Sequence, residues 1–248
     1  MQSGKYTIAI IDGSADRQQL PADIDLAQHD FSGSGDAAAF SVADTAHATA
    51  MVKTILSIAP VVRILSLKVT DQWGMPDLEA VNNALQWIAA QEHIDLVCIA
   101  AADWSNCVSC GDAYPETAVL LDLLIHKGII IVAPAGNWFS EFDETDGMAW
   151  PAIHPGVVSV GAIIRNAADK IILHPDSQRL HHINESGSYT TVFAFPGEPG
   201  RTSGAVATIA GYMALMQSAT QTSVKEMLAQ RTNQLLLNDG RYWPCWTT

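Results

Sequence analysis

Ile129-Ile130-Ile131-Val132-Ala133-Pro134-Ala135-Gly136-Asn137 is a β-branched apolar run that stops at Pro134 and turns at Gly136 onto a polar amide. A short apolar run bounded by turn residues predicts a strand buried on both faces, the kind a parallel sheet requires. The preceding segment, 115–127, predicts a helix that ends just before Gly128, a favourable residue past a helix terminus. Working outward, the same alternation recurs. Strands are predicted over 6–11, 61–69, 95–100, 157–163 and 192–195. Helices are predicted from Asp44-Thr45 through 58, from Met75-Pro76-Asp77 through 90, and over 203–219. Strand followed by helix implies right-handed crossovers and an α/β fold with a mostly parallel central sheet and helices on both faces. Residues 14–40 are mixed and polar, with Ser32-Gly33-Ser34-Gly35 as a flexible stretch, and 165–190 is the least regular part. The tail from Asn238 reads as turn-like, with Trp243, Cys245 and Trp246 packed back onto the body.

The chain has 248 residues, of which 48% are hydrophobic and only 16% charged, so we expect one sizeable domain over 1–248 with a real core. The formal net charge of −13 opposes a phosphate backbone, and nucleic acid is not an expected partner. No apolar run is long enough to span a bilayer, and no charged-then-apolar signal segment opens the chain. No membrane partner is therefore expected, and the expected location is the cytoplasm, a secreted mature fragment being the other reading. Of the four cysteines, Cys98 lies in an apolar strand and reads as core. Cys107-Val-Ser-Cys110 has zinc-ligand spacing, but one such pair is half a site and no matching histidine pair is nearby. A local disulfide or free thiols is the better reading, and no metal or cofactor is expected.

Four positions carry chemistry: Asp12 in Ile10-Ile11-Asp12-Gly13, His47 in His47-Ala48-Thr49-Ala50-Met51, Asn137, and Ser203 in Thr202-Ser203-Gly204-Ala205. Each falls at the edge of a predicted element. Asp, His, Ser is one of three chain orders known for nucleophilic serine triads. A serine hydroxyl needs a base within reach, and the base needs an orienting group. Asp12 would fix the imidazole, and His47, in the first turn of its helix, would move the proton. Ser203 would attack from the start of the last long helix. Asn137 would be a second oxyanion donor beside the Ser203 N–H. Singly, each has a plain structural reading, such as an N-cap for the serine or a turn for Ala-Gly-Asn. The joint pattern points to peptide-bond hydrolysis. No Gly-x-Ser-x-Gly elbow, Walker loop or dinucleotide fingerprint is present.

From about Tyr6 to about Leu228 the chain resembles the subtilisin-like serine peptidases. The resemblance rests on the Asp12, His47, Asn137 and Ser203 motifs, on Trp150-Pro151-Ala152, on Pro155-Gly156-Val157-Val158-Ser159-Val160-Gly161-Ala162, on Phe195-Pro196-Gly197 and on Ile209-Ala210-Gly211. It implies a subtilisin-like three-layer sandwich and a peptide or protein substrate. It also implies that Ala100, Ala101, Ala102 and Asp103 pair with the substrate backbone, and that Ala149 lines the specificity pocket. Asp103 would favour a basic side chain or be a solvated loop residue. The departures are Ala48 and Ala50 after the histidine, Arg201 in place of a glycine, Val206-Ala207-Thr208 in the serine helix, and a short interval from Gly197 to Ser203. Arg201 would bind a substrate carboxylate or extend into solvent. Without a visible pro-segment, the resemblance implies a mature fragment or a cytosolic member that removes leaders in peptide natural-product maturation. The alternative is a catalytically impaired relative that binds peptides or a partner protein through the same cleft.

Overall fold

The computed structural model describes residues 5–33, 42–71, 73–110, 114–220 and 224–247. Strands β1 (Tyr6–Asp12), β3 (Val62–Lys68), β4 (Leu96–Ile99), β5 (Ile130–Pro134), β6 (Val158–Arg165) and β8 (Val192–Ala194) form where apolar runs were predicted. They alternate with α1 (Val42–Ile58), α2 (Leu78–Ala90), α3 (Pro115–His126) and α4 (Arg201–Thr220). The sheet runs β2-β3-β1-β4-β5-β6-β8-β10-β9, where β2 is Asp25–Asp30, β9 Thr232–Leu236 and β10 Tyr242–Trp246. Its pairings are parallel except β9 with β10, and β7 (Ile171–Leu173) with β6. Among the described residues, no helix is long and apolar enough to cross a membrane.

The two-residue period of a strand explains the layering. Ile8 and Ile10 of β1, with Ile64, Leu96 and Cys98, join one buried cluster with Met51, Val52 and Ile55 of α1 and the alanines of α4. Ala9 and Ile11, with Leu65, Leu67, Val97 and Ile99, join the other with Val81, Leu85 and Ile88 of α2 and Leu121 and Leu124 of α3. Helices thus cover both faces, which is why these strands read as continuous apolar runs. Asp77 caps α2, its carboxylate accepting from the Glu79 and Ala80 N–H groups.

Three parts of the sequence reading need correction. The polar stretch before α1 contains β2, an edge strand bonded only to β3; its charged residues suit a sheet edge that must not recruit another chain. Its Ser34-Gly35 end lies outside the described residues. The irregular 165–190 stretch contains β7. The tail is not turn-like: after α5 (Val224–Arg231), β9 and β10 complete the sheet, and β10 pairs with β8. Trp243, Cys245 and Trp246 are buried, as their apolar character predicts. Trp243 packs edge-on against Phe193 with ring centroids 4.9 Å apart, and its Nε1–H donates to Asp239 Oδ2 at 3.0 Å.

Removing that indole empties the third buried cluster, which also holds Ile163, Leu173 and Leu237. Trp243→Ala is expected to cost about 3–5 kcal/mol, read as a lowered midpoint of urea unfolding.

Candidate active site

Asp12 ends β1, and its carbonyl accepts from the Val69 N–H at 2.9 Å, so the strand partner fixes its backbone. Asp12 is 6% exposed. His47 lies in the second turn of α1, not the first, because the helix already runs from Val42. Its Nδ1 stands 2.5 Å from Asp12 Oδ2. That contact makes Nδ1–H the donor and leaves Nε2 as the acceptor. Burial pushes the imidazole pKa down. The Asp12 charge and hydrogen bond push it up and prevail, so the net shift is upward.

Asn137 follows β5 through the Gly136 turn. Its Oδ1 accepts from Thr202 N–H at 3.0 Å and from Thr202 Oγ1 at 2.7 Å. The amide is thereby oriented with Nδ2 as the end not bonded to Thr202. Ser203 is the third residue of α4, in its first turn, as the sequence suggests. Arg201 has φ +49°, a left-handed value where the family pattern has glycine. Its side chain is 59% exposed, in keeping with the reading that it extends into solvent, and its guanidinium pairs there with Asp176 at 3.3 Å.

Asp12, His47, Asn137 and Ser203 line one cleft of about 510 Å³. Residues 100–103 form part of its wall, continuing past the end of β4. A smaller apolar pocket of about 190 Å³ opens beside it, sharing Pro76, Ala101 and Asp103 with the cleft. Asp103 is not a free counter-charge: Oδ1 accepts from Trp150 N at 3.2 Å and from Ser105 Oγ, and Oδ2 accepts from Tyr114 OH at 2.6 Å. That bond, chiefly, pushes the Tyr114 phenol up to about 12, so it remains a donor. Ala149 does not line this cleft; it is wholly buried, its N–H bonded to Ala135 O at 2.8 Å. No disulfide joins Cys107 to Cys110, and the Cys107 backbone pairs with Met148. Sequence reasoning missed the apolar rim of the cleft. Trp73, Met75 and Trp104 are 74%, 64% and 64% exposed. The signal was Trp73-Gly74-Met75-Pro76, where Asp71 Oδ1 accepts from the Trp73 and Met75 N–H groups, both at 2.9 Å.

Residues 28–239 match the family model described as the subtilase family. The chain belongs to the subtilase family. It is 27% identical to Subtilisin E of Bacillus subtilis (strain 168) over 111 residues, 44% of this chain and 26% of that protein. It is 23% identical to an intracellular serine protease of Paenibacillus polymyxa over 197 residues, 76% of this chain and 56% of that one. The matches thus span about a quarter to about half of those relatives' lengths. The solved structure of the prenylagaramide maturation protease PagA superposes with a TM-score of 0.72 at 17% identity, covering 94% of this chain and 86% of that one. The subtilase fold accounts for a mostly parallel sheet with the candidate groups at its carboxyl edge, where α/β sheets gather ligands.

The His47 shift has a definite sign. The pKa lies above the ordinary imidazole value of about 6.5 because of Asp12, while burial alone would lower it. The His47⁺–Asp12 pair therefore contributes stability that is fully present below the unfolded value and lost as pH rises through the folded one. Asp12→Asn is expected to move the His47 inflection to below about 6.5. An NMR titration of the imidazole checks this; an unmoved inflection would break the link to Asp12.

Proposed function

We propose that this subtilase is a serine endopeptidase. Ser203 Oγ attacks the scissile carbonyl carbon while His47 Nε2 takes its proton and Asp12 stabilises the imidazolium. The C–N bond then breaks and the proton passes to the leaving amine; water hydrolyses the acyl-enzyme by the same relay. Asn137 Nδ2 and the Ser203 N–H hold the developing oxyanion, favoured by the amino end of α4. The observation that carries this reading is the 2.5 Å Asp12–His47 contact in a cleft that Ser203 and Asn137 also line.

The substrate in this proposal is an extended peptide lying along residues 100–102, held by its backbone. The exposed Trp73, Met75 and Trp104 offer apolar contact to it. The setting we propose is cytoplasmic precursor maturation. The name of the prenylagaramide maturation protease, a chain of the same fold, supports the maturation setting. The description of the Paenibacillus relative as intracellular supports the cytoplasmic one. The impaired-enzyme alternative rested on the altered flanks. Ala48 is buried in the core and Arg201 is drawn to Asp176, so neither intrudes on the Asp12–His47 pair.

Intact-mass labelling by a fluorophosphonate tests the proposal. One adduct is expected on the wild type and none on Ser203→Ala. Folded wild type that binds peptide yet stays unlabelled would favour the impaired-enzyme reading. Asn137→Ala is expected to lower kcat by about 10²–10³ with little change in KM. Equal losses in both would assign Asn137 a structural role.

A further inference from the structure

Behind the Gly136–Asn137 turn lies Gln178, a wholly buried polar side chain that the catalytic reading does not use. It is held by the Gly136 turn on one side and by the Ser105–Asn106 segment on the other. Its backbone N–H donates to Gly136 O at 3.0 Å. Its Nε2 donates to Ser105 O at 2.9 Å and to Asn106 Oδ1 at 2.8 Å. Two acceptors around one amide nitrogen fix which end is nitrogen, so Oε1 faces the other way, toward Gly136. There it is buried with no hydrogen-bond partner. Such an acceptor is costly to keep unpaired. A methyl group built on Gly136 would overlap this oxygen and press on Ala149 Cβ at 3.1 Å. Gln178 and Ala149 therefore fill the space that glycine at 136 would otherwise leave open.

The position of this filled space matters for substrate choice. A scissile carbonyl over Ser203, with its oxygen toward Asn137 Nδ2, places the residue that supplies it next to Gly136. An extended peptide presents alternate side chains to opposite sides, so in a cleft every second one points at the floor. The side chain of that acyl residue enters between the wall of residues 100–103 and the Gly136 turn. Gln178 ties Ser105, two residues past that wall, to the Gly136 turn, its side chain bonding Ser105 O and its backbone N–H bonding Gly136 O. Gly136, Ala149 and Gln178 are all buried, and none of them lines the cleft.

We infer that Gln178 is a specificity-determining residue that closes the floor beside Asn137 and restricts cleavage to bonds whose carbonyl comes from glycine or alanine. The inference rests on the catalytic reading above. Larger side chains are refused by lack of volume. Discrimination against them is expected to be about tenfold or more, the scale at which a tight pocket rejects added carbons.

The test uses peptide aldehydes identical except for the last residue, ending in alanine, leucine or phenylalanine. Ser203 Oγ adds to the aldehyde carbon and its proton ends on the resulting oxygen, so occupancy reads as protection from the fluorophosphonate. On the wild type, the alanine aldehyde is expected to protect at least about tenfold better than the others. Gln178→Ala is expected to raise protection by the leucine and phenylalanine aldehydes by about tenfold or more. Gln178→Asn, one methylene shorter and still an amide, gives an intermediate gain and serves if the alanine variant does not fold. A wild type that labels normally but is protected equally by all three aldehydes would overturn the inference and leave the catalytic reading standing. A folded wild type that never labels would overturn both.

Discussion

The close packing of α1 on α4 is the constraint on which the site depends. One helix carries His47 and the other Ser203, and both cover the same face of the sheet. Their approach is set by small residues. Ala207, Ala210 and Ala214 are fully buried, and a Cβ on Gly211 would stand 3.0 Å from Ile58 Cβ. α1 also steadies the loop that leads into Ser203: Thr54 Oγ1 donates to Glu198 O at 2.9 Å. From the α4 side, Thr208 Oγ1 accepts from the Gly197 N–H at 3.0 Å. A bulkier residue at either contact would separate the two helices and the groups they bear.

Against this fixed pair the sheet sets the remaining groups. Asp12 is the last residue of the strand between β3 and β4, and Asn137 follows the strand next beyond β4. The Asp12 carbonyl is held by the Val69 N–H, and the turn before Asn137 is held by the Ala135 N–H on Val160 O at 2.9 Å and by the Gln178 N–H on Gly136 O at 3.0 Å. The Asn137 amide is oriented in turn by Thr202, which binds it to the start of α4. The candidate oxyanion donor and the candidate nucleophile thus share one connection through Thr202. Preorganisation of this kind is what lets a dipole act on developing charge without reorganising.

Departures from the family pattern gain physical roles in this setting. Arg201 adopts a left-handed backbone and is held by Asp176. The short interval before Ser203 is closed by backbone bonds, Gly200 N–H to Gly197 O and Gly204 N–H to Gly200 O, both at 2.8 Å. Asp103, which sequence alone left between substrate counter-charge and solvated loop residue, braces Ser105, Tyr114 and Trp150.

The sequence by itself determined the core strands, the covering helices and the two faces, because burial on both sides of a parallel sheet leaves an unbroken apolar run in each strand. It also singled out Asp12, Asn137 and Ser203 as candidates by local turn and helix-start chemistry, and His47 by its motif, although the structure sets His47 one turn further into α1 than expected. It did not reveal β2, β9 or β10. Thr-Asn-Gln-Leu-Leu and Tyr-Trp-Pro-Cys-Trp carry no strand alternation, and only pairing with β8 and with each other makes them a sheet edge. Nor could it show that Gln178, forty-one positions after Asn137, lies behind the Gly136 turn. Local patterns encode what each segment becomes. Which distant side chain fills the space beside a functional group is decided only when close packing brings the segments together.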